Sequence, residues 1–346
     1  MSRKKRKGAS TARRRVRAAS LALVAAALLF SLVADWYSHH SPEWLADSDA
    51  SLPRFVTVPL LYVGDRVGMV TDAFGWTGHD AVYDFDEPAP EGQVFFAGAP
   101  RRVGPPAPDD IQILDRGEFV IGYSPRLRHP VWVAYHVPPK ARFPHDKRPG
   151  FHKDKAVPSS PSAGDYSSTG YDRGHMAPNY AIETRFGKDA QKRTFAMTNV
   201  SPQSPELNRG PWRELEHRIA DLWTAKYGEI WVVVGALSGA GGARETLSGT
   251  SIDVPESYYM VIAAQTSEGV RALAVLLPQT VGYGTFPVHH ILTIDRLEQI
   301  TGFDFFPDMP GFLQDALESD LPTRLWPIRF FDAFKLVGIR NPGGSF

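Results

Sequence analysis

From residue 93 onward the apolar positions fall into short runs of four to eight, bounded by Gly, Pro and polar clusters, which is the spacing of strands. VFFAG (94–98), EFVIGYS (118–124) and VWVAYHV (131–137) read as strands, the last alternating enough to lie in a sheet. A long polar loop rich in Pro and Ser follows (138–170), too long for a plain connector and so a candidate functional loop. IWVVVGAL (230–237), YYMVIAAQ (258–265) and ALAVLLPQ (272–279) read as three more buried strands. Trp212, Leu215, Ile219, Leu222 and Trp223 recur at helical spacing behind Pro211, predicting a helix that starts there. Shorter helices are expected near 188–194 and within 291–302, the latter capped around Thr293–Asp295. Residues 53–70 suggest a strand and then a helix. Strand runs interrupted by helices and long loops predict an α+β fold, with a mainly antiparallel sheet and flanking helices.

A different pattern occupies the start of the chain. Residues 18–34 (AASLALVAAALLFSLVA) carry no charge and follow nine basic residues, Arg3 to Arg17. As a helix the segment would extend about 25 Å, against roughly 30 Å for a bilayer core. Trp36 and Tyr37 stand where an aromatic belt would sit. Leu32 spoils a small-x-small cleavage site, so the expectation is a signal-anchor with residues 1–37 as basic tail plus apolar helix. The body would then be extracytoplasmic on a single-pass inner or cell membrane, or secreted if the segment is cleaved. Residues 38–92 read as a linker or accessory segment, and 93–346 as the catalytic domain with a C-terminal tail.

Charge sharpens this division. The 346 residues hold 38 Lys+Arg and 38 Asp+Glu, a net of zero. Removing the nine basic residues of the leading segment leaves 29 basic against 38 acidic, a net of −9 for the body. Within it, residues 140–220 have 14 basic and 9 acidic residues, a local +5. A chain that is 43% hydrophobic and 22% charged can bury a core. The absence of cysteine excludes disulfide scaffolds, thiolate metal sites and Cys nucleophiles.

The chemistry concentrates in that basic stretch. In Asp172-Arg173-Gly174-His175, an extended backbone would aim Arg173 and His175 the same way, a cationic fork beside a general base. Gly174 would allow close backbone approach, and Asp172, facing away, reads as a structural acceptor. Asn199, Asn208 and Glu216 follow, oxygen donors suited to a hydrated Mg²⁺. Taken singly each has an ordinary explanation: an incidental loop histidine, a helix cap, a solvated glutamate. The glycine-rich 235–244 lacks dinucleotide-loop spacing, His289-His290 has no supporting ligand cluster, and Ser201 and Ser204 form no credible triad.

Taken in order, YDRGHMAP (171–178), FAMTNVSPQ (195–203) and LNRGPWRELE (207–216) resemble the DNA/RNA non-specific endonucleases, over about residues 95–310. The resemblance implies a ββα-metal (His-Me finger) core that cuts DNA and RNA with little sequence selectivity. It implies His175 as the general base, Asn208 as the direct ligand of Mg²⁺ (Mn²⁺ as substitute), and Glu216 acting through bound water. Arg173 and Asn199 would contact phosphate or the transition state, with Asp172 and Gly174 organising the site. DNA and RNA are the expected partners, besides the membrane and a second copy in a homodimer. One departure stands out: where the family often has an arginine four residues after the helix glutamate, this chain has Ala220. Arg148 and Arg142 of the long loop are the candidates to replace it. The departure keeps two alternatives open, a catalytically impaired nucleic-acid-binding or envelope scaffold and a membrane-surface phosphoesterase.

Overall fold

The computed structural model describes residues 80–83, 89–144, 147–239 and 245–328. The apolar segment 18–34, the expected elements of 53–70 and residues 240–244 of the glycine-rich 235–244 lie outside them. No helix among the described residues is long and apolar enough to cross a membrane.

The strands, in chain order, are β1 (Ala81–Tyr83), β2 (Arg101–Arg102), β3 (Gln112–Asp115), β4 (Phe119–Ser124), β5 (His129–Val137), β6 (Asp172–His175) and β7 (Val200–Gln203). They continue with β8 (Ile230–Leu237), β9 (Ser257–Thr266), β10 (Gly269–Pro278), β11 (Ile291–Leu292) and β12 (Phe303–Asp304). Helix α1 is Asn179–Phe186, α2 is Lys188–Thr194, α4 is Ile294–Thr301 and α5 is Gly311–Ser319. Between them α3 runs from 205 to 227 in five consecutive segments. The main sheet has the order β1-β10-β9-β8-β5-β4-β3, with β11 added on β10, and its pairings are antiparallel. A mixed α+β fold around a large antiparallel sheet is therefore observed.

Two expectations need correction. Residues 94–98 join no ladder; they form an irregular strap whose Phe95 meets Trp132 at 6.4 Å and whose Phe96 meets Trp231 at 5.2 Å. An apolar run of that length satisfies a core equally well as strap or strand, so the pattern alone does not decide. At the other boundary, Ala81–Tyr83, inside the segment read as a linker, pairs with β10 as an edge strand. Asp80 fastens it through Arg324 at 3.0 Å and Arg271 at 3.6 Å.

Alternation along the strands sends side chains to two different cores. Trp132, Ala134, Trp231 and Tyr259 point to one face and pack with Leu297, Phe305 and Leu313 from the α4–α5 region. Their neighbours Tyr135, Val232 and Tyr258 point to the other, where Tyr258 meets Trp212 of α3 at 5.7 Å. Helix α3 lies across this second face. Its far end packs there as well, Tyr227 lying 4.3 Å under the Arg271 guanidinium of β10.

On the first face the Asp295, Glu298 and Glu318 carboxylates gather within 4.8 Å of one another. Burial, then repulsion from the neighbouring acids, pushes Glu318 up to about 9, and burial chiefly pushes Glu298 up to about 7. Both folded values lie above the ordinary 4.5, so the protonated pair contributes stability that is complete below about 4.5 and is lost as pH rises through about 7 and 9. We expect Glu318→Gln to flatten this decline. Urea midpoints measured across that range should converge at low pH and favour the variant at high pH.

Candidate active site

Strand β6 emerges from the long loop and pairs with β7, Asp172 opposite Gln203 and His175 opposite Val200. Arg173 and His175 share one side, as their spacing predicts. The His175 ring packs 5.0 Å from Phe151 and edge-on at 4.7 Å to Phe195, while the Arg173 guanidinium lies 5.5 Å over Phe151. Backbone bonds from His152 N–H to Phe195 O (3.1 Å) and from Met197 N–H to His152 O (2.9 Å) hold the two phenyl rings in place. Removal from water pushes the His175 pKa down to about 3, with Arg148 adding to the effect. The imidazole is neutral at physiological pH.

The other side of β6 faces the helix that carries Asn208. Asp172 accepts from Asn208 Nδ2 at 2.9 Å and from Arg209 Nε and Nη2 at 2.7 and 2.6 Å. An ionised carboxylate only accepts, so the Asn208 amide must turn its NH₂ toward it, and Oδ1 is left to face elsewhere. Gly174 is required: a Cβ there would lie 2.1 Å from Gln203 Oε1.

Helix α3 begins earlier than Pro211. Ser204 caps it, accepting from Leu207 N–H at 3.3 Å, with Pro205 at the first position. Asn208 therefore lies inside the helix, and Pro211 inside as well. Lacking an N–H, Pro211 breaks the regular ladder, and the segment Asn208–Trp212 opens into a wide π-type turn kinked at Gly210 (φ −104°, ψ −115°). In a regular α-helix the eight residues from Asn208 to Glu216 would turn through about 800°, some 80° past two turns. A wide turn takes up an extra residue and so changes that angle.

Glu216 is pushed up to about 8 by burial, against which Trp212, Arg148 and Arg213 pull it down. The Trp212 indole N–H lies toward this carboxylate without reaching hydrogen-bond geometry. Tyr135, which points to the same face from β5, has its hydroxyl buried without a protein partner and is raised well above its ordinary pKa by burial and then by the charge of Glu216. His175 Nε2 is likewise buried without a protein partner. One amide oxygen, one carboxylate and three unsatisfied polar atoms suit a cation that keeps most of its water shell. Among the described residues, a close group of three acidic ligands occurs at Asp295, Glu298 and Glu318 on the opposite face, not here.

Placement of the remaining expected residues is mixed. Asn199 is fully buried: Oδ1 accepts from Ala177 N–H at 2.9 Å, and Nδ2 donates to Ala177 O (3.0 Å) and Thr194 O (2.9 Å). It cannot reach a phosphate, and it staples the turn that follows His175. Arg148 lies within electrostatic reach of His175 and Glu216, whereas exposed Arg142 is tied by its backbone N–H to Thr184 O at 2.7 Å and shows no interaction with either. Ser201 bonds Tyr258 (2.8 Å) and Ser204 is the helix cap, so neither is a nucleophile. The pattern alone did not bring out Phe151, Phe195, Arg209, Arg213 or Tyr135; of these only Arg209, adjacent to Asn208, carries a local signal.

A short antiparallel pair bearing His175 is followed by a helix bearing an oriented Asn208 and Glu216. Residues 97–312 match the DNA/RNA non-specific endonucleases, and the chain belongs to that family of nucleic-acid hydrolases. It is similar to a nuclease of Nostoc sp. (28% identity, 61% of this chain, 78% of the relative) and to mitochondrial endonuclease G of Bos taurus (28%, 61% and 77%). The mitochondrial nuclease of Saccharomyces cerevisiae is 30% identical over 65% of this chain and 74% of its own length. Among solved structures, that of the EndoG/EndoGI complex, which concerns EndoG inhibition, shares the fold with a TM-score of 0.55 at 24% identity, covering 66% of this chain and 95% of that one.

Truncating Asn199 would strand two carbonyls and an N–H in the interior. Asn199→Ala is expected to cost about 1–3 kcal/mol for each group left unsatisfied, measured by denaturant unfolding, with substrate KM little changed. A large rise in KM on a fully stable variant would instead place Asn199 against phosphate.

Proposed function

We propose that the chain is a Mg²⁺-dependent endonuclease cutting DNA and RNA with little sequence selectivity. The observation that carries this reading is the Asp172 carboxylate, which joins the His175 strand to the Asn208 helix and fixes the amide of Asn208. Asn208 Oδ1 would hold the ion, with Glu216 acting through its water shell. When bound, a divalent cation would neutralise charge developing on the phosphoryl oxygens.

The protein's own groups account for the rest. His175, neutral and with Nε2 unpartnered, accepts the proton of the attacking water. A phosphate drawn into the cleft brings the negative charge that raises the basicity of this buried ring. Arg173, steadied by an Nε–H bond to Ala163 O at 3.1 Å and by Phe151, contacts phosphate, and Arg148 does the same from the loop. Such contacts read backbone charge and not base identity, hence the low selectivity. We also propose that residues 18–34 anchor the chain with this domain outside the cytoplasm, which protease protection in spheroplasts would test.

Plasmid DNA and total RNA digestion with Mg²⁺ or EDTA decides the main reading. Wild type should degrade both, EDTA should abolish cleavage, and His175→Ala should lose roughly 10²–10⁴-fold. An inactive wild type would favour a binding or scaffold role instead. Asn208→Ala should lose activity through weakened metal binding and recover in part at raised Mg²⁺; no recovery would count against the ligand role.

A further inference from the structure

The loop that leaves β10 comes back to the start of α3. Gln279 pins it there: its Oε1 accepts from Ser204 N–H at 2.9 Å, its carbonyl accepts from Ser204 Oγ at 2.7 Å, and its Nε2 donates to Pro202 O at 2.8 Å. Ser204 is the cap of α3, so the loop is fixed to the end of β7 and to the first turn of the helix that carries Asn208. Four residues on, the backbone of Tyr283 packs against Gly210 in the wide turn of that helix. A Cβ at Gly210 would lie 3.1 Å from Tyr283 Cα and 3.3 Å from its carbonyl oxygen. The two residues before Gly210 are Asn208 and Arg209, the pair held by Asp172. The loop therefore touches α3 at Ser204 and at Gly210, on either side of Asn208 in the chain.

Tyr283 stands at the tip of this loop. Thr285 N–H donates to Gly282 O at 3.1 Å, which makes Tyr283 and Gly284 the two central residues of a turn. Tyr283 is 45% exposed. Neither flanking glycine has anything within 4 Å of where a Cβ would stand, so no side chain crowds the tyrosine from Gly282 or Gly284. Among the described residues its ring and hydroxyl meet no hydrogen-bond or stacking partner. Tyr283 also adds to the raised pKa of Arg209, after the larger effect of Asp172.

We propose that Tyr283 is a stacking platform for an unpaired base of the nucleic acid and so favours single-stranded over duplex substrate. The proposal rests on the nuclease reading above. A phosphate held beside Asn208 belongs to a polymer that must continue past the site, and Tyr283 is the exposed aromatic on the loop packed there. Every base has a π-face, so an aromatic platform adds affinity without reading sequence. In a duplex both faces of a base are covered by its neighbours, and it must first be unstacked to reach Tyr283. In a single strand or an RNA loop a face is free. Phosphate contacts hold the two forms alike, so the ring is what separates them.

The test compares Tyr283→Ala, Tyr283→Leu and Tyr283→Phe with wild type, as full chains, on a single-stranded oligonucleotide and on the duplex of the same sequence. Leu keeps the bulk without the π-face, and Phe keeps the π-face without the hydroxyl. For Ala and Leu we expect KM on the single strand to rise about tenfold with kcat little changed, and on the duplex less than about twofold; Phe should behave as wild type. The decline of kcat/KM with salt should keep its slope in all three, because no phosphate contact is removed. No loss on the single strand, equal losses on both substrates, or a Phe variant as weak as Ala would overturn the platform and leave the nuclease reading standing. A wild type that cleaves neither substrate would overturn the nuclease reading, and this proposal with it.

Discussion

Everything at the site depends on one carboxylate. Asp172 projects from the side of β6 opposite His175 and receives the Asn208 amide and the Arg209 fork together. Because it can only accept, it imposes an orientation on a side chain whose two ends are otherwise interchangeable. The same contact ties the strand carrying His175 to the helix carrying Asn208 and Glu216.

The sheet supplies the rigidity that makes this contact useful. Tyr258 and Tyr259 are adjacent yet serve opposite faces: one is wedged between Trp212 and Ser201 beneath the site, the other packs on Phe305. The Tyr258 hydroxyl also donates to Pro202 O of β7. One strand thus braces both the helix and the hairpin, and its neighbour closes the remote core. Tyr135 uses the same alternation to put a buried hydroxyl on that face, where it feels the charge of Glu216. A polar atom in an apolar floor is costly unless something satisfies it, which is why its place beside the oxygen donors matters.

Much of this was legible in the residues, and what was not has physical causes. The long strands of the sheet announce themselves because both faces are buried, so their apolar runs are nearly continuous. The strap at 94–98 has the same composition and a different fate, since burial alone does not require a ladder. Asp172, Arg173 and His175 were assigned correctly to two sides because a two-residue period is a property of any extended chain. Asn199 was not, because an asparagine that caps backbone groups and one that touches phosphate look alike in sequence. Pro211 misled in an instructive way. Proline usually opens a helix, but here it lies in a wide turn of one already begun at Ser204. Phe151, twenty-four residues before the histidine it packs on, is fixed only by the path of the loop.

The zero net charge of the chain conceals how these parts share the work. The basic residues of 140–220 include the cations nearest the site, Arg148, Arg173, Arg209 and Arg213, yet each has a different neighbourhood and so a different task. Arg209 is committed to Asp172, Arg173 is shaped by Phe151, Arg148 sits on an exposed loop, and Arg213 shares a helix stripe with Glu216. A local excess of +5 within a body of −9 concentrates basic residues in the stretch that carries the site. Binding built this way weakens as salt screens it. His175 lies within that stretch, neutral and held between two phenyl rings.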